Sequence, residues 1–136
     1  MSRRSRAREF ALQVLYQDDV TLGAQLADAE PYLRRRLKKD DLLEFSTSLV
    51  AGVRRNREEL DELLDRVCDN WTLDRMAVTD RNVLRIGAYE ILYTKTPVRV
   101  VLNESVELAK RFGSRPSAQF VNGILDRVLS ECQREE

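Results

Sequence analysis

The sequence predicts an all-α protein, and two features of its 136 residues indicate this fold class. In nearly every segment, apolar residues recur at spacings of three and four, which places them on one face of a helix. No pair such as Asn-Gly separates two alternating runs, the usual sign of a β-hairpin. With 43% hydrophobic residues the chain is long enough for one core, so we expect a single domain over residues 1–136.

The first two predicted helices precede residue 40. The first runs from about Ser5 to about Asp18, because its apolar residues follow the spacing of one helix face. Those residues are Ala7, Phe10, Ala11, Val14 and Leu15. Helical spacing continues to Leu37, but Pro31 suits the first turn of a helix, so a short second helix should begin near Glu30.

The third and fourth predicted helices occupy residues 40–70. Asp40 and Asp41 suit the start of the third, since an aspartate oxygen can accept a hydrogen bond from a free backbone amide. Asn56 followed by Glu59 resembles a capping box that opens the fourth. Its apolar stripe consists of Leu60, Leu63, Leu64, Val67 and Cys68. This helix should end near Asn70.

A tight connection over residues 71–78 separates the fourth helix from the fifth. Trp71, at the start of this connection, is expected to be buried in the core, as is usual for a tryptophan between helices. Thr79 is a suitable N-cap for the fifth helix. Pro97 ends that helix, because proline cannot continue the hydrogen-bond ladder.

The last two predicted helices follow Pro97. Residues 98–102 have strand character, but the helical spacing continues beyond them, so they are predicted to begin the sixth helix. Gly113 is positioned as its C-terminal stop, and Ser117 as the cap of the seventh. The pair Asn122 and Gly123 lies inside the last apolar stripe, which indicates close helix packing.

The composition excludes several classes of function. The absence of histidine excludes Ser/His/Asp and Cys/His catalysis, and also the zinc sites that use imidazole. Neither of the glycine-rich nucleotide-binding patterns, GxGxxG and GxxxxGK[ST], occurs. Carboxylates are abundant, but no pair stands out as an acid and base. We therefore expect no cofactor and no metal.

The cysteines and the N-terminus indicate a cytoplasmic protein. Cys68 and Cys132 are far apart and have no CxxC partner, which is typical of reduced thiols in the cytosol. No continuous apolar run follows the basic start of the chain, so neither a signal peptide nor a membrane span is expected.

A cluster of four arginines opens the chain, although its formal net charge is zero. These residues are Arg3, Arg4, Arg6 and Arg8, and no acidic residue precedes Glu9. Such a local positive field favours a polyanionic partner. If all four neutralised phosphates of a single strand, affinity would fall roughly fifty-fold from 50 to 200 mM salt, which is too little for tight binding alone. Tyr16, further along the same helix, offers a ring on which a base could stack.

Other charged groups favour a structural interpretation. The basic runs at residues 34–39 and 54–57 are each followed by acids, and cations in the last turn of a helix are stabilised by its dipole. A cluster of charged residues surrounds the predicted start of the fifth helix, where a solvated cap is the default interpretation. It consists of Asp74, Arg75, Asp80, Arg81 and Arg85.

Four blocks of the sequence, in order, resemble the NusB family of transcription antitermination factors over essentially the whole chain. They are Arg8-Glu9-x-Ala11-Leu12-Gln13-x-Leu15-Tyr16-Gln17, Asp80-Arg81-x-x-Leu84-Arg85-x-x-x-Tyr89-Glu90, Asn103-Glu104-x-Val106-Glu107-Leu108-Ala109-Lys110-x-Phe112 and Phe120-Val121-Asn122-Gly123-Ile124-Leu125-Asp126. The resemblance implies a compact bundle of about seven helices in two sub-bundles, without catalytic activity. It also implies binding of boxA RNA from ribosomal RNA leader transcripts together with NusE, a ribosomal protein, within the RNA polymerase antitermination complex.

The resemblance also implies where these partners bind. The N-terminal arginines, Tyr16 and Phe120 lie on the RNA side in that family, whereas the region from Asp74 to Arg85 lies toward the protein partner. For this chain, that region supplies Asp74, Arg75, Asp80 and Arg85. The apolar stripe alone places Phe120 in the core, so both positions stay open. Pro116 falls in a loop that varies within the family.

Two other functions compete with an RNA-binding antitermination factor. The same fold occurs as the N-terminal domain of ribosomal RNA cytosine methyltransferases, but no glycine-rich cofactor-binding segment follows within these residues. The second alternative is a helical protein-interaction module whose arginines only confer solubility. Dimerisation that hides the RNA face would be a means of regulation, and the sequence leaves the oligomeric state open.

Overall fold

The computed structural model describes residues 3–21, 27–68 and 71–132. Within these ranges the chain forms seven α-helices and one short 3₁₀ turn, so the all-α prediction is confirmed. The helices are α1 (Arg3–Val20), α2 (Glu30–Arg36), α3 (Asp40–Arg55), α4 (Arg57–Val67), α5 (Val78–Tyr93), α6 (Val98–Phe112) and α7 (Ser117–Cys132). The 3₁₀ turn, Leu73–Arg75, lies between α4 and α5.

Several helix starts differ in detail from the predictions. Helix α5 begins one residue before Thr79, so that residue lies inside the helix and does not cap it. At Asn56 the side chain donates to the Gly52 carbonyl at 2.8 Å, which ties it to α3, and the predicted capping box is wrong. Asp40 and Asp41 lie within the first turn of α3, where negative charge is favoured by the helix dipole.

The last two helices follow the prediction more closely in their bounds. Residues 98–102 are helical, as their spacing predicted, and α6 ends at Gly113 in extended backbone. Ser117 is the first residue of α7 and does not cap it as predicted, because its hydroxyl accepts a hydrogen bond from the preceding Ser114 amide at 2.9 Å. This bond closes the short loop that joins α6 to α7.

The helices form the two sub-bundles that the family resemblance implied. Helices α1, α2 and α3 pack together, α4 to α7 form the second group, and α5 contacts both α1 and α3. Two glycines permit close helix contact. A Cβ on Gly52 would lie 2.1 Å from the Tyr89 ring, and one on Gly87 would lie 2.7 Å from Leu125. A single continuous core therefore connects the sub-bundles.

Gly123 does not behave like these two glycines. A Cβ at this position would have no atom within 4 Å, and the residue is exposed, so the prediction of close helix packing is wrong. Neither cysteine forms a disulfide with the described residues; Cys68 is buried and Cys132 is partly exposed. Among the described helices, none has the length and apolar character needed to cross a membrane.

Candidate nucleic-acid interface

Arg8 lies in the core and does not belong to the exposed basic arm. Its side chain is 2% exposed, and its Nε and Nη2 atoms each donate to a Glu90 carboxylate oxygen at 2.8 Å. Its Nη1 atom donates to Glu104 at 3.2 Å. The expectation that Arg8 holds a phosphate is therefore corrected, because two carboxylates already neutralise its charge. Its position four residues before the buried Leu12 was the sequence signal for this burial.

Arg8 keeps its positive charge in the core because Glu90 and Glu104 stabilise it. Burial lowers the pKa of the Arg8 guanidinium, but its hydrogen bond with Glu90 and the charges of Glu90 and Glu104 raise it by more. Arg8 is therefore a permanent cation that joins α1 to α5 and α6. Its role is structural, since breaking a buried pair leaves an uncompensated charge in the core.

The other three arginines of the arm are exposed and point in different directions. Arg3 approaches the exposed carboxylate of Asp41 at 3.2 Å. Arg4 lies over the Phe45 ring of α3, with its guanidinium carbon 4.4 Å from the ring centroid, and Arg6 lies over Phe10 at 5.4 Å. Stacking on an aromatic ring leaves the guanidinium edge free to meet a phosphate.

Because Arg8 is buried, only three arginines of the arm remain for phosphates. The electrostatic contribution of the arm to RNA affinity is therefore smaller than that of four arginines. With three phosphate contacts on a single strand, raising the salt from 50 to 200 mM would lower the affinity only about twentyfold. The arm therefore contributes attraction, and most of the affinity of any RNA complex must come from elsewhere on the surface.

Tyr16 is 42% exposed and lies near the end of α1. It stands seven residues, two helical turns, after Glu9, which accepts a hydrogen bond from Arg111 at 3.1 Å. Arg111 is near the end of α6, and Phe112, the last residue of that helix, is 38% exposed. Tyr16 thus lies on the same face of α1 as Glu9, the residue that joins this helix to the end of α6.

Phe120, in the first turn of α7, is half-buried and has two kinds of neighbours. Part of its ring packs against the core. The remainder lines a cavity of about 350 Å³ at the start of α5. That cavity is also lined by Trp71, Arg75, Met76, Ala77, Asp80, Pro116 and Ser117. The structure thus brings the predicted RNA residue Phe120 together with two predicted partner residues, Arg75 and Asp80.

Trp71 is 52% exposed, so the prediction that it is buried in the core is wrong. The reason is that Leu73 and Met76, its neighbours in the connection, fill the core beneath the 3₁₀ turn. Trp71 instead forms one wall of the cavity next to Phe120. Trp71, Arg111 and Phe112 are exposed side chains that no sequence pattern assigned to a site.

Asp80 has an unusual position in this cavity. It lies in the first turn of α5 and is only 8% exposed. Its Oδ1 atom is buried and has no hydrogen-bond partner among the described residues. A buried carboxylate oxygen without a donor is costly, so this atom is suited to accept a hydrogen bond from a group that enters the cavity.

Arg85 is not available to a protein partner. Its side chain is 4% exposed, and it bonds to Asp61 at 2.7 and 3.0 Å and to Asp19 at 2.8 Å. The expectation that Arg85 contacts a partner is corrected, since its position deep in α5 directs it into the core. Asp74 and Arg75, in contrast, are exposed on the 3₁₀ turn.

Asp19 is the centre of this second ion cluster. It accepts hydrogen bonds from Arg81 at 2.9 Å and Asn82 at 2.8 Å, and it also pairs with Arg57 and Arg85. Burial raises the pKa of Asp19, but the hydrogen bond from Arg81 and the neighbouring arginine charges outweigh it and lower the pKa to about 2. This cluster joins the end of α1 to α4 and α5.

Comparison with known proteins identifies the family. The model described as "NusB family" matches residues 5–130. This chain belongs to the NusB family. It is 47% identical to the transcription antitermination protein NusB of Anaeromyxobacter dehalogenans over 95% of this chain and 92% of that protein. Identity to the NusB protein of Myxococcus xanthus is 45%, over 94% of this chain and 95% of that protein.

Solved structures of NusB proteins have the same fold. T. maritima NusB aligns with a TM-score of 0.85 and 35% identity, over 96% of this chain and 92% of that one. A NusB chain from a structure of the antitermination factors NusB and NusE in complex with dsRNA aligns with a TM-score of 0.84 and 28% identity. That match covers 96% of this chain and 99% of the other.

Proposed function

We propose that this NusB-family protein is a non-enzymatic antitermination factor that binds boxA-type single-stranded RNA together with the ribosomal protein NusE. The observation that carries the proposal is the cavity at the start of α5. It places Phe120, a candidate base-stacking ring, beside Arg75 and Asp80, which are candidates for contacts with the protein partner. An RNA site and a protein site that share one cavity explain why the two ligands would bind jointly.

The RNA side of this surface combines weak charge with exposed rings. Arg4 and Arg6 supply positive charge at the start of α1, and Arg3 adds a third guanidinium beside Asp41. Tyr16 and Phe120 supply faces for stacking, each worth about 1–3 kcal/mol per base. Single-stranded RNA is commonly recognised by such rings, since its bases can be splayed out. A solved neighbour that contains NusB, NusE and dsRNA supports the RNA assignment.

The partner side depends on Asp80, Asp74 and Arg75. The free Oδ1 atom of Asp80 is an acceptor that suits an arginine or lysine of a basic ribosomal protein. Trp71, beside it, provides a ring face that favours the same cation. The exposed Asp74 adds negative charge at the rim. The partner would thereby cover the cavity and extend the surface offered to RNA.

The remaining parts of the proposal follow from the sequence and the family. A chain without histidine and without a nucleotide-binding loop is suited to binding, and we propose no catalytic role. The protein would act in the cytoplasm, as part of the RNA polymerase antitermination complex. We further propose that residues 1–136 act as one domain, because the core is continuous across both sub-bundles.

Titration of fluorescent boxA-type RNA in the presence of NusE tests the proposal. Tyr16→Ala combined with Phe120→Ala should weaken binding by at least about tenfold, since two stacking faces are lost. Circular dichroism would establish that the variant is folded. Unchanged affinity would contradict the proposal, and wild-type protein that bound NusE but no RNA would favour a protein-interaction module.

A further inference from the structure

We infer that a groove between α6 and α7 reads base edges of the RNA that stacks on Phe120; this inference rests on the proposed function. The groove has a volume of about 490 Å³. It is lined by Asn103, Val106, Glu107, Lys110, Ala118, Gln119 and Asn122. It therefore lies on the opposite flank of α7 from Phe120, at the same end of the helix.

The carboxamide side chains of the molecule indicate what this groove binds. The described residues include seven asparagines and glutamines. Four of these form hydrogen bonds within the protein, namely Gln13, Gln17, Asn56 and Asn82. The other three, Asn103, Gln119 and Asn122, form none with the described residues, and all three line this groove.

Carboxamides that form no hydrogen bond within the described part of the protein are suited to recognition of bases. Each offers a donor and an acceptor side by side, which is the pattern that pairs with a base edge. Unpaired RNA bases expose their Watson–Crick edges for such contacts. The charges of Lys110 and Glu107 oppose each other, so the groove attracts phosphates weakly and is better suited to select bases.

The composition of the groove favours RNA over a protein partner. Protein interfaces depend on aromatic, methionine and arginine side chains that fill pockets. The groove has none of these, and its apolar surface comes only from Val106, Ala118 and the stems of the polar residues. It also lies close to the proposed RNA site, because Gln119 and Phe120 are neighbours in the first turn of α7, on different flanks of the helix.

Gly123 is a second, independent observation on the same helix. It lies one turn after Gln119 and next to Asn122, and it is exposed with no atom near its missing Cβ. Internal packing therefore does not require a glycine here, although glycine weakens a helix. A bare backbone at this point lets a nucleotide approach α7 closely between Phe120 and the groove.

The test compares boxA-type RNA with a scrambled RNA of the same length and composition, using the full chain with NusE. Asn103→Ala, Gln119→Ala and Asn122→Ala combined should reduce the preference for boxA-type RNA by about tenfold or more. Phe120→Ala should weaken both RNAs alike, since stacking tolerates any base. The isosteric Asn122→Asp variant, which removes a donor but keeps the shape, should reduce the preference as well.

The outcomes separate this inference from the proposed function. A preserved preference in the triple variant, with weaker binding of both RNAs to Phe120→Ala, would overturn the inference alone. If Phe120→Ala and the triple variant both bound RNA like wild type, the proposed function would fail too. Weaker NusE binding by the triple variant, with RNA binding intact, would instead make the groove a protein contact.

Gly123→Ala provides a readout that a purely structural role would not give. We expect the melting temperature to rise by about 2–4 °C, because alanine is the better helix former. RNA affinity should fall at the same time. An equally stabilised variant with full RNA affinity and unchanged preference would contradict the role of Gly123.

Discussion

Arginine has opposite roles in two regions of the molecule. One region is the pair of buried ion clusters around Arg8 and Arg85, and the other is the exposed start of α1. In the core, Arg8 and Arg85 each bond to two carboxylates and hold helices together. At the exposed start of α1, Arg4 and Arg6 lie on aromatic rings with their guanidinium edges exposed. Arg6 and Arg8 are two residues apart, so membership of the same arginine-rich segment does not decide which role an arginine takes. The helix face and its tertiary partners do.

The largest effect that distinguishes these regions is on stability. Arg8→Met should lower the free energy of unfolding by about 3–5 kcal/mol, because Glu90 would keep a buried charge without its cation. Urea denaturation measures this loss. The matched control is Arg6→Ala, which should change stability by no more than about 0.5 kcal/mol. Equal effects of the two substitutions would refute the distinction.

A smaller effect concerns Asp19 and its pH dependence. Its pKa of about 2 lies below the ordinary value of 3.8, so its contribution is complete above pH 5 and is lost as pH falls toward 2. The difference corresponds to about 2 kcal/mol. Asp19→Asn should destabilise the protein at pH 7, and its free energy of unfolding should fall less steeply between pH 5 and pH 2. If the variant lost the same unfolding free energy as the wild type between pH 5 and pH 2, Asp19 would not be the source of this pH dependence.

The exposed rings should affect binding and leave stability nearly unchanged. Tyr16→Ala should weaken boxA-type RNA binding about fivefold or more, through the loss of one stacking face. Tyr93→Ala is the control, since Tyr93 is similarly exposed at the far end of α5. Similar losses of RNA affinity in both variants would show that the Tyr16 surface is not special.

The smallest effect is electrostatic. Arg4→Ala combined with Arg6→Ala should reduce the slope of log affinity against log salt by about 1.4, which corresponds to two phosphate contacts. Arg35→Ala combined with Arg36→Ala, on α2, should leave the slope unchanged. Arg36 also lies over a ring, that of Tyr32 at 3.8 Å, so this control matches the chemistry and differs in place.

Local patterns predicted the helices well, whereas long-range contacts decided the site. The spacing of apolar residues was enough to assign residues 98–102 to a helix despite their strand character. The spacing from Arg8 to Leu12 places Arg8 on the buried face of α1, but its ion-pair partner Glu90 is 82 residues away, which no local pattern includes. Trp71 is exposed because its neighbours Leu73 and Met76 occupy the core below the connection. Asp80 and Phe120 are 40 positions apart and meet only because α5 and α7 pack together.

The central claim is that the RNA site and the protein site meet in the cavity of Trp71, Arg75, Asp80 and Phe120. The most direct measurement is RNA affinity with and without saturating NusE, for the wild type and for Asp80→Asn. We predict that NusE strengthens RNA binding by the wild type, and that Asp80→Asn removes most of this gain while leaving RNA affinity without NusE unchanged. A full gain in the Asp80→Asn variant would contradict the account.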